Sequence, residues 1–245
     1  MKITCVIPNF NDSRIARAIS SFEAQVFQDK ELVVVDSEST NQDVLKIYDK
    51  NAHVIDKLIC EPDAGIFDAL NKGVRNSSGD VIFLMGSDDY LPENDIFARV
   101  AERLDDDTQG VCIGVKFFRP DGKVTRVWLP RKVSSQKIQW GLLPPHFSLF
   151  LRKGLYEEVG EFDISIPISS DSEWLLRMSR VRHLRISIDR ERFLMMEAGG
   201  VSNAGTQNII RANADVARSW RRHGFINWWI VPAIKLASKV SQLRA

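Results

Sequence analysis

The sequence predicts an α/β fold in which a mostly parallel sheet is flanked by helices and followed by C-terminal helices. Short apolar runs alternate with helical patterns from residue 3 to residue 85, as in a parallel sheet that is covered on both faces. The last of these runs, Val81–Met85, is apolar at every position, which is typical of a strand buried on both faces. Pro120, Asp121 and Gly122 separate two later runs and predict a turn in a small antiparallel part.

The elements follow from these patterns in chain order. Apolar runs predict strands at Ile3–Ile7, Glu31–Asp36, Val54–Cys60, Val81–Met85, Val111–Phe118, Lys123–Trp128 and Ser148–Leu151. Helical spacing of apolar residues predicts helices at Asn11–Val26, Thr40–Lys50, Gly65–Arg75, Lys153–Val159 and from Ile168 to Met178. Ligands of such sheets bind beyond the carboxyl ends of the strands, so the residues after each strand are the functional candidates.

The composition is that of an ordinary globular protein with a basic tail. The 245 residues carry a formal net charge of +1, which does not suggest nucleic-acid binding. Residues 211–245 hold seven Lys or Arg and one acid, so this tail is expected to meet something anionic. We expect neither a signal peptide nor a membrane span. The three cysteines lie in apolar runs without metal-type spacing, and we expect buried thiols in a reducing compartment.

Acidic residues follow three of the four strands in the first half. Asp36 ends the second strand, Asp63 follows the third, and Asp88 and Asp89 follow the fourth. Two like charges at the end of a core strand are tolerable when a divalent cation or a polar ligand lies between them, and Mg²⁺ and Mn²⁺ favour carboxylate oxygens. The alternative is that the Ser-Asp-Asp turn caps a helix whose first turn contains Pro92.

Several segments, taken together and in this order, resemble the family 2 glycosyltransferases with the GT-A fold. The resemblance is close to the bacterial members that build capsule, O-antigen or exopolysaccharide units. The segments are CVIPNFND, VVVDSEST, EPDAGIFDALNKGV, SGDVIFLMGSDDYL, PPHFSLFLRK with GEFD, and SSDSEWLLRM. The resemblance covers roughly Lys2 to Gly200 and implies a Rossmann-like nucleotide-binding half at residues 1–92 and an acceptor and catalytic half at 93–205. The pattern of the remaining residues separately predicts basic amphipathic helices at 206–245.

The resemblance also implies a role for each matched residue. Asp36 would bind the base of a nucleotide sugar, commonly a UDP-sugar, and Asp171 would be the general base. Asp88 and Asp89 would hold Mn²⁺ or Mg²⁺ on the diphosphate, with Asp88 also near the ribose. The residues that the resemblance places around the nucleotide sugar are Pro8, Asn9, Asn11, Asp36, Asp63, Asp88 and His146.

Two departures from the family pattern affect the predicted site. Gly86 stands where a full DXD motif has its first acid, which leaves open whether Asp88 or Asp89 ligates the metal; Asp89 is our choice. The QxxRW motif of processive synthases is absent, which favours transfer of a single sugar. One base, without a nucleophilic carboxylate, allows displacement in one step with inversion at the sugar carbon.

Each of the remaining candidates has a structural alternative. Asp171 suits a helix N-cap as well as a general base. Lys72 either reaches the diphosphate or is solvated on its helix, and a lone histidine such as His146 is more often structural. Arg177 is expected to pair with Glu173 one helical turn away.

Two other function classes compete with a glycosyltransferase. A nucleotidyltransferase shares a similar half-sheet and an acidic metal site. It would be expected to carry a glycine-rich basic loop after the first strand, and residues 8–17 contain no glycine. A non-catalytic nucleotide-sugar-binding protein would not need Asp171.

The tail is predicted to form a helix from Phe225 to Arg244, in which Pro232 marks a kink or the first turn. Trp228 and Trp229 with the basic residues favour a helix on an anionic membrane surface. The resemblance implies a saccharide or lipid-linked acceptor, and together the two predict a cytoplasmic enzyme that is peripheral on the inner face of the membrane. The alternative is docking on the protein's own body or on a partner subunit. The predicted apolar face comprises Ile226, Trp229, Ile230, Ala233, Leu236, Ala237, Val240 and Leu243.

Overall fold

The structure is a computed structural model that describes residues 1–129, 132–198 and 206–240. Its strands are β1 (Ile3–Asn9), β2 (Lys30–Asp36), β3 (Lys57–Cys60), β4 (Val81–Leu84), β5 (Gly110–Phe118), β6 (Val124–Trp128), β7 (Leu149–Arg152) and β8 (Ile186–Glu197). Its helices are α1 (Ile15–Glu23), α2 (Gln42–Lys50), α3 (Ile66–Asn76), α4 (Ile96–Glu102), α5 (Ser135–Gln139), α6 (Lys153–Val159), α7 (Ser170–Met178), α8 (Thr206–Arg222) and α9 (Val231–Val240). A 3₁₀ turn, His146–Ser148, precedes β7.

The described strands form one sheet in the order β3-β2-β1-β4-β7-β5-β6, and β8 pairs with β5. Strands β1 to β4 are parallel to one another, as the alternation of strands and helices predicts. β7 runs antiparallel to β4 and β5, β6 is antiparallel to β5, and β8 is parallel to β5. The α/β prediction with a parallel part and a smaller antiparallel part is therefore confirmed.

The core lies on both faces of this sheet because alternate strand residues point to opposite sides. On one face Ile7, Val34 and Phe83 pack against helices α1, α2 and α4. On the other face Val6 and Val35 pack against α3, and neighbouring residues pack against α6 and α7. With both faces covered, the polar residues that follow β1, β2 and β4 are left at the carboxyl edge of the sheet.

Three sequence predictions differ from the structure in the part of the chain that precedes the tail. Strand β8 was not predicted because charged residues 189–192 interrupt its apolar pattern; Asp189 is fully buried and accepts a hydrogen bond from Arg103 Nε at 2.9 Å. The expectation of three buried thiols was wrong for Cys60, which is exposed because β3 lies at the edge of the sheet. The helix after the Ser-Asp-Asp turn begins at Ile96 rather than near Pro92.

The tail forms two helices where a single helix was predicted. Helix α8 ends at Arg222, a turn follows, and α9 begins at Val231 with Pro232 in its first turn, as one of the two predictions for this proline stated. Trp220 and Val231 are fully buried against Leu176 of α7. Residues 241–244 of the predicted helix, and the boundary placed at residue 205, lie outside the described residues. Within the described residues, no helix combines the length and the apolarity that crossing a bilayer requires.

Candidate active site

The carboxyl ends of β1 and β2 bring Asn9 and Asp36 together as neighbours in the sheet register. Asp36 is 1% exposed, and its carboxylate accepts hydrogen bonds from Ser39 N at 2.7 Å, Ser39 Oγ at 2.6 Å and Tyr48 Oη at 2.6 Å. Tyr48 Oη in turn accepts a hydrogen bond from Asn9 Nδ2 at 2.7 Å. Asp36 is thus held rigidly by donors that the chain itself supplies.

The loop after β1 is joined to the loop after β2. Asn11 has a positive φ of 54°, and its Oδ1 accepts hydrogen bonds from the backbone N–H groups of Thr40 and Asn41, both at 2.8 Å. Asn11 N donates to Ser39 Oγ at 2.7 Å. Pro8 is buried in β1. Asn11 therefore shapes the predicted nucleotide pocket through the backbone, while Asn9 Oδ1 is buried without a partner among the described residues.

Asp63 and Lys72 lie at the next loop along this edge. Asp63 is half-buried, and its carboxylate accepts a hydrogen bond from Gly65 N at 2.8 Å. Lys72 Nζ forms ion pairs with Glu61 at 3.1 Å and with Asp68 at 3.4 Å. These acids are the nearest charged partners of Lys72, so its predicted contact with a diphosphate would require it to leave them.

The acid pair after β4 lies in a tight turn and does not cap a helix, since α4 begins seven residues beyond Asp89. Asp89 is 2% exposed, and its Oδ2 accepts a hydrogen bond from Gly86 N at 3.2 Å. Burial and the charge of Asp88 raise the pKa of Asp89 well above its usual range. The Asp88 side chain is 28% exposed; burial raises its pKa too, against the opposing effect of Arg14.

The turn explains why glycine occupies position 86. A Cβ atom there would lie 2.8 Å from Asp89 Oδ2 and 2.9 Å from Asp88 Oδ1, closer than real Cβ contacts. An acid at position 86 would therefore displace both carboxylates. Exposure leaves Asp88, rather than the predicted Asp89, on the solvent side of the pair, and the choice of ligand stays a prediction.

Two arginines and a distant glutamate complete this acidic region, and sequence reasoning missed all three. Arg14 lies 2.7 Å from Glu197 and 3.6 Å from Asp88. Arg17 donates a hydrogen bond to the backbone oxygen of Asp88 at 2.6 Å and also pairs with Glu197 at 3.3 Å. The backbone N–H of Glu197 hydrogen-bonds to Asp89. Glu197 ends β8, the strand that was not predicted, so no sequence signal placed it here.

Asp171 lies in a separate part of the site, a pocket of about 440 Å³ that Glu197 and His146 also line. The helix-cap interpretation of Asp171 was wrong: the N-cap of α7 is Ser169, and Asp171 is the second helical residue. Asp171 Oδ1 accepts a hydrogen bond from Ser172 N at 2.7 Å. Its carboxylate is half-buried beside open space, as a base needs in order to reach a substrate hydroxyl.

His146 lies in an aromatic environment at the same pocket. Its ring is 5.2 Å from Phe162 and 5.9 Å from Trp174, centroid to centroid, and both are edge contacts. Burial lowers the pKa of His146 to about 4, although the charge of Asp171 acts in the opposite direction. Both ring nitrogens are buried without a hydrogen-bond partner among the described residues. A neutral His146 is therefore packed by aromatic rings and retains unused hydrogen-bonding capacity.

Asp88 and Asp89 are the candidate ligands of a divalent cation. Across residues 1–129, 132–198 and 206–240, no three His, Cys, Asp or Glu side chains are grouped as a metal site. Mg²⁺ is commonly held by one or two carboxylates together with substrate phosphates, and Asp88 and Asp89 supply two. Burial raises the pKa of both carboxyl groups, and the charge of Asp88 raises that of Asp89 further, so a cation between them would offset this cost. The pair fits a metal that arrives with a phosphate ligand.

A family model and several curated relatives match this chain. The family model described as Glycosyl transferase family 2 matches residues 4–183. An uncharacterized glycosyltransferase of Mycobacterium tuberculosis is 28% identical over 184 residues, which cover 73% of this chain and 69% of the relative. A PGL/p-HBAD biosynthesis glycosyltransferase of Mycobacterium bovis is 27% identical over 218 residues, which cover 81% of this chain and 78% of the relative.

Solved structures share the fold. TarS residues 1–349 from S. aureus, solved with UDP-GlcNAc, superimposes with a TM-score of 0.67 at 18% identity and covers 98% of this chain and 73% of its own. A mannosyltransferase from Pyrobaculum calidifontis, solved with GDP-Man and Mn²⁺, has a TM-score of 0.66 at 17% identity, covering 98% of this chain and 75% of its own. This chain spans 43% of a longer TarS chain, with a TM-score of 0.65 at 19% identity. At these identities the likeness establishes the fold alone.

Proposed function

The chain belongs to glycosyl transferase family 2, and we propose that it is an inverting, metal-dependent glycosyltransferase that moves one sugar from a UDP-sugar to an acceptor hydroxyl. The acceptor is a saccharide or a lipid-linked saccharide in the synthesis of a surface polysaccharide. Two structural neighbours were solved with nucleotide-sugar donors, and one of them holds Mn²⁺. One curated relative is named as a PGL/p-HBAD biosynthesis glycosyltransferase. These similarities support the donor class, the metal and the acceptor class proposed for this chain.

One observation carries the proposal: Glu197 belongs to both parts of the site. Its carboxylate pairs with Arg14, which also contacts Asp88, and its backbone is hydrogen-bonded to Asp89. The same residue lines the pocket that holds Asp171. The acid pair and the candidate base are therefore adjoining parts of one site. Transfer of a sugar needs this arrangement, because the leaving diphosphate and the attacking hydroxyl lie on opposite sides of the sugar carbon.

Each group then has a defined task. Asp36, fixed by Ser39 and Tyr48, receives hydrogen bonds from the base of the nucleotide. Asp88 and Asp89 would hold the metal, and a bound metal would supply stabilisation of negative charge on the leaving diphosphate. Asp171 takes the proton of the acceptor hydroxyl as its oxygen attacks the sugar carbon. The bond from that carbon to the diphosphate oxygen breaks on the other side, so an α-linked donor gives a β-linked product.

The test is transfer from a panel of nucleotide sugars in the presence of Mn²⁺, with the anomeric configuration of the product read by NMR. Asp171→Asn is expected to lower kcat by about 100-fold or more, because a general base contributes on the order of 10²–10⁴ in rate. Asp43→Asn is the matched control, since the Asp43 side chain is 76% exposed on α2, outside the site. An α-linked product from an α-linked donor, or full activity of Asp171→Asn, would overturn the mechanism. Nucleotidyl transfer without sugar transfer would establish the rival class.

We also propose that the tail binds an anionic membrane surface on the cytoplasmic side. Three apolar residues of the predicted face are exposed: the exposed fractions are 92% for Ile226, 66% for Trp229 and 53% for Leu236. Arg221 lies 5.7 Å from the Trp228 ring centroid, so cationic and aromatic groups share this surface. Aromatic and basic residues in such an arrangement favour the interface of an anionic bilayer.

Sedimentation with vesicles tests whether this exposed surface of the tail, rather than the side that packs on the protein, binds the membrane. Deleting the tail would expose the cavity filled by Val231, so point substitutions are the cleaner test. The triple variant Ile226→Asn, Trp229→Gln and Leu236→Gln is expected to lose binding to vesicles of phosphatidylglycerol and to keep its melting temperature. Ile164→Asn, which alters a 51% exposed residue outside the tail, is the control. Unchanged sedimentation of the triple variant would refute membrane binding through this surface.

A further inference from the structure

Two cations line the pocket beside Asp171, and neither has an acidic partner within ion-pair distance in the part of the chain that the structure describes. Arg126 on β6 lies with its guanidinium carbon 3.7 Å from the ring centroid of Phe117, and burial lowers its pKa. No carboxylate lies within 4.0 Å of Arg126 among the described residues, and the ring contact is its principal interaction there. A half-buried guanidinium normally has a carboxylate or phosphate partner, because its five donors otherwise remain poorly satisfied.

Lys235 is the second cation, and it enters the pocket from the tail helix α9. Its Nζ donates a hydrogen bond to Ser172 Oγ at 2.9 Å, beside the candidate base Asp171. Burial lowers the pKa of Lys235, and the charges of Asp171 and Asp215 act in the opposite direction. Neither acid lies within ion-pair distance among the described residues, and Asp215 already pairs with Arg218 at 3.3 Å. The ammonium group thus has a neutral hydroxyl as its nearest partner.

The fold therefore holds two desolvated cations at the walls of one open pocket. Such an arrangement costs stability when it is empty, because each charge has lost hydration without gaining an ion pair. An anionic ligand would supply the missing partner. We propose that this pocket binds a negatively charged group of the acceptor, a phosphate or a carboxylate close to the accepting hydroxyl, through Arg126 and Lys235. This inference rests on the proposed function, which makes the pocket the acceptor side of the site.

The charge in question belongs to the acceptor rather than to the donor for a structural reason. The donor diphosphate is assigned to Asp88 and Asp89, and neither of these residues lines the pocket. Asp171, the candidate base, does line it, together with Ser172, which binds Lys235. A group held by Lys235 would therefore lie next to the hydroxyl from which Asp171 removes the proton.

Binding of small probes tests the inference without requiring turnover. Protein saturated with UDP and Mn²⁺ is titrated with N-acetylglucosamine 1-phosphate, with methyl glucuronide and with neutral methyl N-acetylglucosaminide, and binding is followed by ligand-observed NMR. Arg126→Met and Lys235→Met are expected to raise the Kd of the charged probes about tenfold, as loss of a charge-assisted hydrogen bond does. The Kd of the neutral probe is expected to stay unchanged. A stronger effect on the phosphate than on the glucuronide identifies the acceptor anion as a phosphate, and the reverse identifies a carboxylate.

Arg222→Met is the matched control because it removes one charge from the same basic tail, at a side chain that is 69% exposed. Melting temperatures give a second readout. Removing an unpaired half-buried cation is expected to leave the melting temperature unchanged or raised, whereas loss of a structural cation would lower it.

Equal Kd values for charged probes in wild type and both variants overturn the inference. Weaker UDP binding in the variants also overturns it, since the cations would then serve the donor. Failure of wild type to bind UDP at all counts against the proposed donor instead, so the two failures are distinguishable.

Discussion

Two acidic groups at the same edge of the sheet are held in opposite ways. Asp36 accepts three hydrogen bonds from Ser39 and Tyr48 and is satisfied by the chain alone. Asp89 is buried beside the half-buried Asp88, and the pKa values of both are raised. The hydrogen bonds to Asp36 fix its position before any ligand binds, whereas a bound cation would stabilise the ionised form of Asp88 and Asp89.

The largest effect on activity is expected when a charge is removed from the acid pair. Asp88→Asn and Asp89→Asn are each expected to lower kcat by about 100-fold or more, because charge stabilisation of the leaving group through a metal is worth several kcal/mol. Asp89→Asn should not lower the melting temperature at pH 7 without metal. A raised carboxyl pKa means that ionisation costs stability, and this cost grows as pH rises above the unfolded value.

Metal dependence gives the control for that prediction. Mn²⁺ with UDP is expected to raise the melting temperature of the wild type and to leave that of Asp89→Asn unchanged. A comparison of Asp88→Asn with Asp89→Asn in the same assay identifies which carboxylate ligates the metal. Equal metal-dependent stabilisation of all three proteins would contradict a metal site at this pair.

The opposite result is expected at the satisfied carboxylate. Asp36→Asn replaces a carboxylate oxygen with an N–H₂ group, which cannot accept the hydrogen bonds that Ser39 and Tyr48 donate. The substitution should therefore lower the free energy of unfolding by about 3 kcal/mol. Urea denaturation measures this loss, and initial rates measure a rise in the donor KM with a smaller change in kcat. Tyr48→Phe, which removes one of the three hydrogen bonds, should give a smaller loss of the same kind. If the midpoint urea concentration of unfolding is the same for Asp36→Asn and for the wild type, the hydrogen-bond network does not stabilise the fold.

The smallest effect is expected at His146, which belongs with the unsatisfied groups. Its pKa of about 4 in the fold lies below the unfolded value, so the unfolded chain binds a proton first as pH falls. Stability is therefore lost between about pH 6.5 and pH 4, by about 1 kcal/mol at pH 5.5. His146→Gln should remove this part of the pH dependence in urea titrations at pH 7 and pH 5.5. Parallel stability curves for the two proteins would show that His146 does not titrate in this window.

The sequence predicted the parts of the fold in which apolar pattern and burial coincide. Strands β1, β2 and β4 are mainly apolar and almost completely buried, and their ends match the predicted strands within two residues. Strand β8 escaped prediction because Asp189 is neutralised by Arg103, a partner 86 residues away. A strand that contains a charged residue paired with a partner so far away in the sequence cannot be recognised from the local pattern of apolar residues.

The same limit applies to the candidate site. Asp36, Asp63 and the Asp88–Asp89 pair follow strands, so the carboxyl-edge rule was sufficient to select them. Glu197 and Lys235 enter the site from β8 and α9, whose positions depend on tertiary packing. The apolar face of the tail was predicted for a single helix, and a helical pattern cannot state whether such a face is turned inward or outward. Only the docking of Val231 decides this, by placing Lys235 inside the pocket.

Helix α9 has a consequence for how an acceptor would be found. One side of the helix delivers Lys235 to the pocket, while Leu236, the next residue, both lines that pocket and remains exposed. The entrance of the pocket is therefore continuous with the surface that we propose to bind the bilayer. An enzyme bound there would encounter lipid-linked acceptors by lateral diffusion in two dimensions. Helix α9 would then contact the membrane on one side and line the pocket on the other.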